Sequence, residues 1–170
     1  PWLLAAARDA VRLAAFSDAV RHLEPLLVFQ GDHVEALRLR AEALDAMGDS
    51  GAMLAYHKAA DAAEAPERHN LLAKAALAQV KQGDPKGALL LLNDLQPTSV
   101  DGRLSEALAY AGAAALGVAD PAMGTAKAAV ARRLALESGD TTSLVIASWA
   151  QAAAAHARGE LHRSVWADLQ

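Results

Sequence analysis

Residues 72–88, LAKAALAQVKQGDPKGA, contain the pattern that decides the fold of this 170-residue chain. Leu72, Ala75, Ala76 and Gln79 are spaced to share one face of a helix. Gly83-Asp84 then interrupts the helical pattern, and the small residue Ala88 follows just inside the next one. Further copies begin about every 35 residues, at Leu3, Leu37, Leu108 and Trp149. A fixed period of this length predicts stacked helical hairpins.

Small residues recur at two positions of each hairpin, where we expect its two helices to approach closely. They are Ala41, Ala76 and Gly112 on the first helices, facing Ala19, Ala52, Ala88 and Gly124 on the second helices, and Ser164 is the small residue of the last copy. Turn-forming residues separate the two helices in each copy: Gly48-Asp49, Gly83-Asp84, Ala119-Asp120-Pro121 and Gly159-Glu160.

The composition favours an all-α protein that is not built to bind nucleic acid. Hydrophobic residues make up 54% of the chain and aromatic residues only 4%, because alanine, the best helix former, dominates. The net charge of −4 is modest and interspersed, which is unlike a nucleic-acid-binding surface. There is no cysteine for a disulfide or a thiolate zinc site, and no apolar run long enough for a membrane span. We expect a cytoplasmic protein.

The turn signals divide residues 1–170 into ten predicted helices within a single segment. Their predicted ranges are 2–15, 16–30, 33–47, 50–63, 67–82, 85–95, 102–116, 121–138, 141–158 and a last one starting near residue 161. The chain lacks an initial Met and stops inside a helical pattern, so we expect a fragment of a longer protein. Residues 161–170, which include Trp166, are expected to drive self-association.

The spacing resembles the tetratricopeptide repeat (TPR) family. Matching positions are Gly48-Asp49, Ala52, Gly83-Asp84, Ala88, Pro97, Gly112 and Trp149, whereas Arg40, Gln79 and Ala115 depart from the motif. The resemblance implies a right-handed α-solenoid of antiparallel helix hairpins, with about five repeats and the last one truncated. It also implies that Trp149, at the motif's large position, lies in the core.

A second resemblance concerns residues 134–140, LALESGD, the alanine-rich helix after them, and residues 157–161, ARGEL. The length and alanine content of this stretch are similar to those of the longer repeats of MalT/LuxR-like bacterial transcriptional regulators. In that family an ATPase module precedes the repeats and a helix-turn-helix follows them. Neither module lies within residues 1–170, so the resemblance implies the repeat arm alone.

The TPR resemblance implies a partner-binding groove lined by the first helix of each hairpin. Its candidate residues are Arg8, Arg12, Glu35, Arg38, Glu42, Asp45, Asn70, Leu77, Val80 and Lys81, followed in the fourth copy by Glu106, Ala109, Ala113 and Leu116. The charged beginning and apolar end of this series favour an amphipathic helix or extended peptide as the ligand. The alternative is that these charges only form a solvated helix face.

No pattern for chemistry is present, so we predict no catalytic residue, no cofactor and no metal. The six histidines contain no i, i+4 pair with a helper Glu, and there is no phosphate-binding glycine loop. The leading interpretation is a protein-interaction scaffold or sensor arm of a bacterial transcriptional regulator. One alternative is a TPR adaptor in envelope assembly, secretion or polysaccharide export. The other is a small-molecule-binding helical domain, with walls near Tyr110 and His156.

Overall fold

The computed structural model describes residues 2–139 and 141–160, and this part of the chain is all-α, as the composition predicts. It contains no strand. Its helices, numbered in chain order, are α1 Trp2–Arg12, α2 Phe16–Phe29, α3 Val34–Ala46, α4 Ala52–Ala62, α5 Glu67–Lys81, α6 Pro85–Leu92, α7 Val100–Ala115, α8 Pro121–Ser138 and α9 Thr141–Ala157. The predicted tenth helix and the predicted self-association segment, 161–170, lie outside the described residues.

Capping residues explain where several helices begin and end. Asp84 caps α6, accepting a hydrogen bond from the backbone N–H of Gly87, and this bond lowers the pKa of the Asp84 carboxyl. Gly83 has φ of 87°, a left-handed conformation that terminates α5 without steric penalty. The hydroxyl of Ser99 caps α7 at the N–H of Gly102, so that helix begins at Val100 instead of the predicted residue 102.

Two other predicted boundaries are also shifted. The first helix ends at Arg12 and not at residue 15, because Ala14 has φ of 57° and reverses the chain direction. The sixth helix ends at Leu92 and not at residue 95. The resulting loop, 93–99, is fixed by hydrogen bonds to α5 that the sequence did not indicate.

The helices pack on their chain neighbours, and some also pack on the next helix but one. α1 packs on α2, α3 on α4, α7 on α8 and α8 on α9, while α4 also packs on α5. In addition α5 packs on α7 and α7 on α9. The core between them is mostly alanine, and its largest fully buried side chains are Leu23, Leu71 and Leu104.

The predicted close approaches hold for two hairpins but not for the third. Ala41 shares a buried cluster with Ala52, and Ala76 shares another with Ala88. Gly112, however, faces α5: a Cβ atom added there would lie 2.9 Å from Cγ1 of Val80. Gly124 does face α7, but its nearest contact is the Cβ of Ala114. Gly112 therefore permits close contact between α5 and α7, and not between α7 and α8.

Candidate functional site

Ion pairs connect α1, α3, α5 and α7 along one surface, which we call the ion-pair face. Arg8 of α1 donates two hydrogen bonds of 2.7 Å to the carboxylate of Glu35 on α3. This contact lowers the pKa of Glu35, mainly through the hydrogen bond from the guanidinium. Arg8 and Glu35, two predicted groove residues on different helices, are thus bound to each other.

The next part of the ion-pair face joins α3 to α5. Lys74 lies 2.8 Å from the carboxylate of Glu42, which also accepts from Arg38 at 3.0 Å. Lys81 lies 2.8 Å from the carboxylate of Asp45. These cationic side chains already have anionic partners, so the face offers little to a strongly acidic ligand.

The ring of Tyr56, from α4, packs between α3 and α5. It is 2% exposed and belongs to a cluster containing Leu37 and Leu44 of α3 and Leu71 and Ala78 of α5. Burial raises the pKa of the phenol, and the nearby carboxylates of the ion-pair face raise it further. The phenol therefore stays protonated at neutral pH.

An apolar cavity of about 650 Å³ lies between α5, α7 and α9, next to the ion-pair face. We call it the binding groove. Its apolar wall consists of Leu77 and Val80 from α5, Leu104, Leu108 and Gly112 from α7, and Val145, Ile146, Trp149 and Ala153 from α9. Its polar residues are Asp45, Tyr56, Lys74, Lys81, Asp101 and Ser105.

The prediction that Trp149 lies in the core is wrong. The residue is 73% exposed, and its side chain lines the binding groove. α9 packs through Ala147, Ala150 and Ala154, which are fully or almost fully buried. Such a contact between alanine surfaces has no room for an indole, so Trp149 faces the open groove instead.

Two hydroxyl groups face the binding groove from residues that are otherwise buried. Tyr56 is 2% exposed and Ser105 is 8% exposed, and both line the cavity. Neither hydroxyl makes a hydrogen bond with another residue in the described part of the chain. A ligand in the groove could supply partners for both.

Asn70, a predicted groove residue, is engaged in the fold. It is 6% exposed, and its side-chain oxygen accepts hydrogen bonds from the backbone N–H groups of Thr98 and Ser99, at 2.9 and 3.0 Å. These bonds hold the loop between α6 and α7. His69, its neighbour, accepts a similar bond from the backbone of Gln96. This part of α5 therefore holds the loop in place.

The other predicted groove residues lie on two adjoining surfaces. Leu77 and Val80 line the binding groove, and Arg8, Glu35, Arg38 and Glu42 belong to the ion-pair face. The paired residues Asp45 and Lys81 belong to both. Arg12 pairs with Asp9 of its own helix. In the fourth copy, Ala109 and Ala113 are fully buried, and Leu104 and Leu108 line the groove instead.

Sequence reasoning also missed Tyr56, Asp101, Ser105 and the contribution of α9. The missing signal for α7 was the helical spacing of Asp101, Leu104, Ser105, Leu108 and Gly112, which places them on one side of that helix. Tyr110 and His156, the predicted walls of a small-molecule site, are not among the lining residues. The cation of Lys127 lies 5.0 Å above the ring of Tyr110.

The described residues contain no group of three or more histidine or acidic side chains arranged to hold a metal ion. None of their helices combines the length and hydropathy that crossing a membrane requires.

Comparison with protein-family models, with curated proteins and with solved structures finds no match to this chain.

Proposed function

We propose that this chain is a TPR-like, right-handed α-solenoid segment of about five hairpins that binds a partner protein and has no catalysis of its own. The ligand is an amphipathic helix of the partner, which lies in the binding groove. The repeat spacing and the packing of successive helices support the architecture. The groove supports the interaction function.

The observation that carries the proposal is the exposure of large apolar side chains at one continuous site. Trp149 and Val145 are more than half exposed and lie beside Leu77, Leu108 and Ile146 in the groove. Exposed apolar residues that form one concave patch are typical of interaction sites, whereas scattered ones are not. A groove between helices is suited to the apolar face of another helix.

Binding of a model helix tests this function directly. The probe is a synthetic alanine-based amphipathic helix with leucine and phenylalanine on one face, titrated while tryptophan fluorescence is recorded. We expect binding to weaken at least about tenfold in Trp149→Ala, monitored by calorimetry, because truncation of a central aromatic anchor has effects of this size. The matched control is Leu90→Ala, since Leu90 is equally exposed but lies on α6 outside the groove. Equal affinity of both variants would contradict the proposal.

For the biological context, we propose the sensor arm of a bacterial transcriptional regulator acting in the cytoplasm. The resemblance of residues 134–140 and 157–161 to MalT/LuxR-like repeats supports this choice. The alternative context is an adaptor for envelope assembly, secretion or polysaccharide export. The gene sequence around these residues tests both. A P-loop module upstream with a helix-turn-helix downstream supports the regulator, and a signal peptide or an outer-membrane barrel supports the adaptor.

The second candidate function is binding of a small apolar molecule in the same groove. Its support is the volume of about 650 Å³, within the range of small-molecule sites, together with the two groove-facing hydroxyls of Tyr56 and Ser105. Thermal-shift screening with drug-sized apolar compounds tests it. A compound that stabilises the chain, but stabilises Tyr56→Phe and Ser105→Ala less, would favour this function over the helix-binding one.

A further inference from the structure

We propose that the partner helix is basic, and that it places a Lys or Arg side chain on Asp101 while an apolar side chain enters the binding groove. This inference rests on the proposed helix-binding function and specifies the chemistry of the ligand. It comes from the balance of charges around the groove, from the position of Asp101 and from the spacing of residues along α7.

Between α3, α5 and α7, the linked ion pairs include the cations Arg38, Lys74 and Lys81, and the carboxylates Glu42, Asp45, Glu67 and Asp101. Of these charged residues, Lys74, Lys81, Asp45 and Asp101 line the groove itself. Each of the three cations has a carboxylate within 3.0 Å. An acidic ligand would have to displace an existing pair, whereas a basic ligand would not.

Among the charged side chains that line the groove, Asp101 has the most distant ion-pair partner. Its side chain is 71% exposed, and the cation nearest to it, Lys74, is 3.8 Å away. The ammonium of Lys74 lies closer to Glu42, at 2.8 Å. A ligand that covers the groove would exclude water around Asp101 and strengthen its attraction to a cation. Charge complementarity therefore selects a ligand with a basic residue at this end.

The geometry of α7 fixes where that basic residue belongs. Asp101 and Leu108 both line the groove and are two helical turns apart, which is about 10 Å along a helix axis. A partner helix running alongside α7 thus carries its cation seven residues from the apolar anchor that contacts Leu108 and Trp149. Ser105, between them, offers its hydroxyl to the same ligand.

Three synthetic peptides separate this inference from the helix-binding function on which it rests. All share one alanine-based helix with the same apolar anchor, and they carry Lys, Gln or Glu seven residues away. With the wild-type chain at low salt, we expect the Lys peptide to bind about two- to fivefold more tightly than the Gln peptide, and the Glu peptide to bind most weakly. The difference should shrink at 1 M salt.

Substitution of Asp101 then identifies the group that is responsible. Asp101→Asn should remove the preference, and Asp101→Lys should reverse it. The matched control, Asp94→Lys, changes the net charge equally in the exposed loop after α6 and should keep the wild-type order. Equal binding of all three peptides, or tightest binding of the Glu peptide, would overturn the charge preference and leave the helix-binding function standing. No binding by any of them would overturn both.

Discussion

Between α3 and α5 the chain places three ion pairs and the ring of Tyr56, whereas between α5 and α7 it places two glycines. A Cβ atom at Gly102 would lie 2.6 Å from Oδ1 of Asn70, and one at Gly112 would lie 2.9 Å from the side chain of Val80. The first junction is bridged by side chains. In the second, the backbone of α7 approaches α5 closely.

This difference explains why the apolar groove lies where it does. Where glycine brings two helices together, the large side chains on either side of the contact, such as Leu77 and Leu108, are left to line a surface. Between α3 and α5, where Tyr56 packs, the charged side chains pair with one another. The two junctions therefore differ: paired charges connect α3 to α5, whereas apolar side chains beside the contact of α5 and α7 line the groove.

The largest expected effect is the loss of the ring between α3 and α5. Tyr56→Ala removes a buried aromatic side chain and should lower the free energy of unfolding by about 3–5 kcal/mol in urea denaturation. Tyr56→Phe is the matched control and should lower it by less than about 1 kcal/mol, because the hydroxyl has no hydrogen-bond partner among the described residues. If both variants were equally destabilised, the hydroxyl and not the ring would connect the two helices.

The position of Tyr56 also shows which part of the fold the sequence alone does not predict. The repeat of alanines and Gly-Asp breaks predicts the helices because it depends on local spacing and helix ends. The position of a side chain from α4 between α3 and α5 depends on three helices together, so no local pattern indicates it. Trp149 was misplaced for a related reason: the repeat motif describes its position, but the alanine surface of α9 decides which way it faces.

The sequence predicts the residues that line the groove better on α3 and α5 than on α7. Asp45, Leu77, Val80 and Lys81, which the sequence predicts for a partner-binding groove, lie among the residues that line the cavity. In α7 the predicted positions were shifted by one to four residues from those that line the groove, where the alanines 109 and 113 are buried against other helices. An alanine-rich helix gives few cues to its own orientation, since most of its faces are apolar.

The second largest effect on stability is expected in the loop between α6 and α7. Asn70→Ala removes the acceptor of two part-buried hydrogen bonds, from the backbone N–H groups of Thr98 and Ser99, and should destabilise the chain by about 2–4 kcal/mol. Amide hydrogen exchange should increase at both residues. Asn93→Ala, in the exposed part of the same connection, is the control and should change stability by no more than about 0.5 kcal/mol. Unchanged exchange at Thr98 would mean that water replaces the amide.

The close contact of α5 and α7 can be tested at Gly112. Gly112→Leu should overpack the contact with Val80 and lower stability by about 1–3 kcal/mol. Part of this loss should be recovered when Val80→Ala is added, because the smaller side chain makes room. Gly31→Ala is the control, since a Cβ atom there meets only Leu27 O at an ordinary 3.5 Å. A Gly112→Leu variant with the wild-type melting temperature would show that the two helices are not in close contact here.

The smallest effect concerns the ion-pair face and its dependence on pH. Arg8 lowers the pKa of Glu35 in the folded chain, so the pair stabilises the fold above the ordinary pKa of a glutamate. This contribution is lost as the pH falls through the lowered pKa, where the folded carboxylate takes up a proton. Wild type should therefore be more stable than Glu35→Gln at neutral pH, and the gap in melting temperature should close in acid and in 1 M salt.

A matched pair of variants makes this last comparison specific to the ion-pair face. Asp18→Gln removes the carboxylate of an exposed i, i+3 pair with Arg21 within α2, where no second helix is joined. Its stability relative to wild type should vary less with pH than that of Glu35→Gln, because the structure gives Glu35 a bidentate partner on another helix. The same pH dependence in both variants would mean that Arg8 and Glu35 act as ordinary surface charges, and that packing alone joins α1 to α3.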